Sequence, residues 1–347
     1  MDTAWFAIVA AMLTVYVVLD GFDFGVGIVQ RLVAKTDAER RMVLRAIGPV
    51  WDGNEVWLIA AGGALFMAFP RTYAIAFSGF YLALNIVLWL LIARGVSVEF
   101  RSLQENSLWR DFWDTVFSLA SGTLAFVFGA ALGNLVRGVP IDSAGLAGMP
   151  LFTDFLTGTR PGIFDWYTIL VGLFAVMALA GHGALYLAWR TAEPVAHRSI
   201  AKAREIWKAI IPFWLLVTIA TGWVQPDLFR QLLRRPWSWP FVVAALFGVW
   251  GVVRFTHHKR PLAAFLCSSA FLSALLVTTM IGNYPDWLRS TIDPTYSLTA
   301  ANTASHEYGL RVALAWWIVG IVLALGYFTY LYRSLSEKVV VDSDDGY

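Results

Sequence analysis

Long apolar segments follow one another along almost the whole chain, and nothing else constrains its fold as strongly. Nine can be drawn, at about 4–30, 46–69, 72–94, 113–134, 163–189, 209–225, 239–255, 261–281 and 309–332. Each is of the order needed to cross a hydrocarbon core of about 30 Å as a helix. Backbone groups in lipid have no water to bond, so helices satisfy them internally. The expectation is an all-α, polytopic membrane protein of about nine transmembrane helices, forming one integral membrane domain over residues 1–347. Composition agrees: charged residues are 14%, against roughly a quarter in soluble chains.

The basic residues assign sides. With the N-terminus outside, the loops on the cytoplasmic side collect 18 of the 26 lysines and arginines. The positive-inside bias therefore predicts a periplasmic N-terminus, a cytoplasmic C-terminus and an odd number of spans. The first segment lacks the basic start of a cleavable signal peptide. Cys267 is the single cysteine, which excludes an internal disulfide. A net charge of +2 reflects loop bias and gives no reason to expect nucleic acid. Many aromatic residues stand at span ends, where ring side chains anchor at the interface (Trp109, Trp113, Trp166, Trp207, Trp237, Trp239 and Trp287).

Against this apolar background four acids stand out. Asp20 and Asp23 lie in VVLDGFDFGVGIV, and Asp52 and Glu55 in GPVWDGNEVWLIAAGGALF. Carboxylates at membrane depth are costly, and they usually face a partner, a water-filled cavity or a proton path. The spacing of three puts each pair on one helical face. Thr36-Asp37-Ala38-Glu39 has the form of a capping box. A helix starting there and continuing to Phe69 would measure roughly 50 Å, kinked at Pro49, with Asp52 inside the membrane near its cytoplasmic half. Gly21, Gly25, Gly27, Gly62, Gly63, Gly129 and Gly133 predict close helix contacts of the small-xxx-small type.

LDGFDFGVG at 19–27, GPVWDGNEVWLIAAGGALFMAFP at 48–70, YAIAFSGFY at 73–81 and RSLQENSLWRDFWD at 101–114 together resemble subunit II of the cytochrome bd-type quinol oxidases, including the cyanide-insensitive branch. The resemblance implies two four-helix bundles plus one peripheral helix, in the bacterial cytoplasmic membrane. It implies a haem-free partner of a subunit I that carries haem b and haem d, or b-type haem only. The substrates of such a complex are quinol and oxygen, and it adds to the proton gradient. A small single-helix accessory subunit is a further partner that the resemblance allows.

By the same resemblance, Asp52 belongs to a proton path from the cytoplasm, flanked by Trp51, Asn54 and Glu55. Asp52 and Glu55 either relay protons or hold two helices together. Asp20 and Asp23 read as braces of the glycine-rich end of the first span. Arg94 and Arg101 either anchor the third span at the cytoplasmic surface or contact a quinone or lipid. Of five histidines only His182 falls within a span. It reads as a packed, hydrogen-bonded residue, so no metal site is expected. No nucleotide, zinc-protease or serine-hydrolase motif occurs. The alternative from another class is a proton-coupled secondary transporter, which calls for matching interrupted segments in two halves.

Overall fold

The computed structural model describes residues 1–335 and 337–340. Its helices are α1 (Asp2–Val33), α2 (Asp37–Ile47), α3 (Trp51–Ala68), α4 (Pro70–Gly79), α5 (Tyr81–Phe100), α6 (Ser107–Arg137), α7 (Trp166–Arg190), α8 (Val195–Val224), α9 (Pro226–Arg234), α10 (Trp239–His257), α11 (Pro261–Asn283), α12 (Ala300–Thr303) and α13 (Glu307–Ser334). A two-stranded ribbon, β1 (Asp286–Leu288) with β2 (Leu298–Thr299), closes one end. Eight helices are long and apolar enough to cross a membrane: α1, α5, α6, α7, α8, α10, α11 and α13. The ninth expected span corresponds to α3, 18 residues long, whose polar first turn dilutes its apolar character.

Three boundaries differ from expectation, each for a local reason. The helix expected from Asp37 to Phe69 is broken rather than kinked, because Pro49 has no amide hydrogen to continue the ladder. Val50 bonds back to Ile47 O at 2.9 Å, and the freed carbonyl of Ala46 accepts from Tyr186 Oη at 2.6 Å. The capping box itself forms, with Thr36 and Glu39 bonding reciprocally. The segment 72–94 is likewise two helices, and only α5 is a span. Gly79 of α4 lies against Ala147 O in the long 138–165 connection. Finally, α8 begins at Val195, so Arg198, Lys202, Arg204 and Lys208 ride on a helix and Trp207 is buried in the core instead of anchoring at an interface.

Helices α1, α3, α5 and α6 form one bundle, and α7, α8, α10 and α11 a second, with α1 packed on α7 between them. The seam depends on glycine. A Cβ on Gly25 would overlap Leu179 O and sit 2.7 Å from Gly183 N, so no other residue lets α1 and α7 meet as they do. Gly21, Gly27, Gly129 and Gly133 are close-approach positions as well. Gly62 and Gly63 are not: an added Cβ would meet nothing within 4 Å, and that face of α3 is open. Helix α13 is peripheral, with Leu310 its one buried residue among those described.

Candidate functional site

The four acids do not share one environment. Asp20 and Asp23 are fully buried on α1. Glu55, one turn into α3, is half-buried, and Asp52 at the start of α3 is exposed. Within this chain Asp52 is therefore open rather than enclosed. The helix break puts it at the mouth of α3, and no described residue bonds it. Asn54, between the two acids, is the α3 side chain that turns fully inward. Trp51 is half-buried, its ring against Gly95 of α5.

Arg94 organises the centre. It comes from α5 and is 1% exposed, so it is no surface anchor. Its Nη1 donates to Asp20 Oδ1 at 2.6 Å and its Nη2 to Glu55 Oε2 at 2.9 Å, which ties α1, α3 and α5 together. The guanidinium also lies 4.5 Å from the centre of the Phe24 ring, a cation–π contact that costs no further hydrogen bond. Beside it, Asn54 Nδ2 donates to Asp23 Oδ2 at 2.8 Å, and Tyr332 Oη of α13 donates to Asn54 Oδ1 at 3.2 Å. Two buried atoms here, Asp23 Oδ1 and Arg94 Nε, have no partner among the described residues, while the Tyr16 hydroxyl interacts with Asp20. Buried polar groups are nearly always satisfied by protein or ordered water.

A second ionic cluster closes the end of this bundle that carries α2. Arg101, 2% exposed, donates to both oxygens of buried Asp114 on α6, at 2.6 and 3.2 Å, and to Asp37 at 2.8 Å. Arg40 reaches Asp114 and Asp111, and Arg110 reaches Asp37. Burial pushes the Asp37 carboxyl up, but the surrounding Arg101, Arg110 and Arg41 outweigh it and hold the group below its ordinary range. Glu39 on the opposite side of α2 pairs with Arg198 at 2.5 Å. The guanidinium groups of Arg94 and Arg101 both pair with carboxylates of this chain. Asp114, Tyr16 and Tyr332 were not singled out from the sequence. Asp114 had a signal, an acid inside a quoted motif just before a span, whereas a tyrosine on an aromatic-rich helix has none.

His182 is buried and bonded at both ring nitrogens, to Ser268 Oγ at 2.6 Å and Val18 O at 3.1 Å, and it stacks on Phe265. Among the described residues no three His, Cys, Asp or Glu side chains come together in a metal-binding group. Cys267 packs against Gly251 between α10 and α11.

These features define an all-helical, multi-pass membrane protein whose first bundle encloses a carboxylate-rich, arginine-centred cluster. The profile of the cytochrome bd terminal oxidase subunit II family matches residues 1–335, and the chain belongs to that family. It is 31% identical over 362 residues to the cytochrome bd-I ubiquinol oxidase subunit 2 of Escherichia coli K12, covering 96% of this chain and 94% of that one. It is 32% identical over 308 residues to the cytochrome bd ubiquinol oxidase subunit 2 of Bacillus subtilis, covering 89% and 88%. A probable cytochrome oxidase subunit 2 of Haemophilus influenzae is 30% identical, covering 96% and 94%. The bd oxidase structure from Geobacillus thermodenitrificans shares the fold, with a TM-score of 0.73 at 19% identity over 96% of this chain and 97% of that one. Family membership sets the transporter alternative aside.

Proposed function

We propose that this chain is the haem-free subunit of a bd-type terminal quinol oxidase. In this reading it lies in the bacterial cytoplasmic membrane with its N-terminus periplasmic and its C-terminus cytoplasmic. It supports a haem-bearing subunit I and supplies a proton-uptake path for the reduction of oxygen to water. The relatives named as ubiquinol oxidase subunits support the activity, and the basic loops support the orientation. The histidines here do not suit haem. His182 already spends both ring nitrogens on Ser268 and Val18, and the other four lie outside the spanning core. Haem b and haem d, or b-type haem alone, are assigned to subunit I, where they supply the redox chemistry.

One observation carries the proton path: burial grades inward along bonded or neighbouring acids. Asp52 is open at the α2–α3 break, Glu55 is half-buried one turn deeper, and Asp20 is fully buried beyond the shared Arg94. A proton arriving at Asp52 has Glu55 as its next acceptor on the same helical face. Asp20 and Glu55 share the one Arg94 guanidinium and Asp23 is bonded by Asn54 instead, so carboxyl groups outnumber cations in the cluster. The unpartnered Oδ1 of Asp23 is the place where bound water would extend the chain. Asn54 orients Asp23, and Trp51 closes the side toward α5.

The test is Asp52→Asn in the assembled complex. Assembly and the reduced-minus-oxidised haem spectrum should be those of wild type. Quinol-dependent oxygen uptake should fall by about tenfold or more, as expected for loss of a positioned proton carrier. Wild-type turnover in that variant would remove Asp52 from the path.

A further inference from the structure

At the end of the molecule that carries α2, the two bundles treat their cations differently. In the first bundle Arg31, Arg40, Arg101 and Arg110 are matched by Asp37, Asp111 and Asp114. In the second, the α10–α11 turn presents Arg254, His257, His258, Lys259 and Arg260, all exposed. No acidic residue occurs between Asp227 and Asp286. Arg204 of α8 donates to Thr256 O at 2.5 Å, which brings α8 and its exposed Lys208 alongside the turn. Glu205, the acid on this stretch of α8, is paired with Lys202. Lys259 is also the one described non-glycine residue with positive φ, at 53°, a conformation that costs a lysine energy and turns the chain sharply.

Beside these cations lies an apolar groove of about 340 Å³ formed by Arg260, Pro261, Leu262, Ala263 and Leu266. On the α10 side, Trp250 and Val253 are exposed just before Arg254. The arrangement is amphipathic along the membrane normal: uncompensated positive charge at the end of the helices, and open apolar surface immediately inward from it. We propose that the α10–α11 turn is a binding site for an anionic phospholipid, with the headgroup phosphate held by Arg254, Lys259 and Arg260 and an acyl chain lying in the groove along Leu262 and Leu266. Charge complementarity selects the anionic class, because each basic residue near an anionic surface adds to the attraction while a zwitterionic headgroup gains little.

The experiment places the purified complex in phosphatidylcholine nanodiscs doped with a photoactivatable phosphatidylglycerol, or in parallel with a photoactivatable phosphatidylcholine. Adducts are mapped by peptide mass spectrometry. Phosphatidylglycerol should label residues 250–266 in preference to phosphatidylcholine. Replacing Arg254, Lys259 and Arg260 together by glutamine should abolish that preference, at about fivefold per charge removed. The charge-keeping set Arg254→Lys, Lys259→Arg and Arg260→Lys should retain it. Should the glutamine variant fail to assemble, raised salt on the wild-type complex should erase the preference in its place. Equal labelling by the two lipids in wild type would overturn the proposal. So would labelling that appears only after truncation at Val340, since it would make the acidic segment with Asp342, Asp344 and Asp345 the occupant. Haem content and oxygen uptake in detergent are read separately, so a lost lipid site is distinguishable from a lost oxidase.

Discussion

In the first bundle Asp20, Asp23, Arg94 and Asn54 bridge helices through buried side chains, with a charged group in every bond. In the second, His182 with Ser268 and Tyr167 with Thr221 bridge helices as neutral pairs, and buried Arg190 donates to the carbonyls of Leu335 and Glu337 rather than to a carboxylate. The second bundle also packs small residues under aromatic rings. Gly181 lies on Trp207 and Gly248 on Phe271, and an apolar cavity of about 480 Å³ opens among Val171, Phe174, Trp214 and Leu275. The same helical scaffold thus carries two kinds of cohesion. Side-chain bridges such as Arg94 set charged atoms between α1, α3 and α5, whereas the cavity of the second bundle is lined mainly by apolar side chains. The buried carboxylates that the proposed proton path needs cluster in the first bundle.

The hardest test of that contrast is Arg94→Met. Removing one member of a buried ion pair strands the other, at a cost of about 3–5 kcal/mol, and here two carboxylates on two helices are stranded at once. The complex should be recovered in severely reduced yield, measured as haem per membrane protein. A further Asp20→Asn change should restore part of it, because it removes one stranded charge; no rescue would mean that Arg94 matters by packing on Phe24. A smaller effect is expected from Gly25→Ala. The added methyl group must push α1 off Leu179 and Gly183, an overpacking typically worth about 1–3 kcal/mol. Gly62→Ala, where nothing lies within 4 Å in this chain, is its control. Thermal unfolding of the purified complex should separate the two. If Gly62→Ala were as harmful, the open face of α3 would be covered by another subunit.

The helical class, the multi-pass character and the burial of the DGFD carboxylates were legible because they rest on apolar length and on the cost of charge in lipid. What was not legible is which acid faces inward. Asp52 and Glu55 share a face by spacing, yet the break at Pro49 puts one outside and the other one turn in. Sequence periodicity carries no information about where a neighbouring helix ends. The role of Arg94 is hidden for the same reason: its partners come from α1 and α3, far away in the chain, and a lone basic residue near a span end looks like positive-inside bias. The glycines divided similarly. Gly25 and Gly62 are alike as letters, and only the position of α7 distinguishes them.

The mildest prediction concerns the clamp on α2, where charges pair at the edge rather than in the core. Arg101, Arg110 and Arg41 hold the Asp37 carboxyl below its ordinary value of 3.8, so the folded state binds this proton less readily than the unfolded one. The stabilisation is therefore fully present above the ordinary value and is lost as pH falls through the depressed folded one. Asp37 is partly exposed, which limits its worth to about 1 kcal/mol or less. Asp37→Asn should lower the unfolding temperature slightly at neutral pH, and the difference from wild type should shrink below about pH 4. Because α2 leads directly into the break that exposes Asp52, the same variant also asks whether the clamp matters to the mouth of the path. An unchanged oxygen-uptake rate would confine the first bundle's outer ion pairs to stability, and a slowed one would join them to the chemistry of its interior.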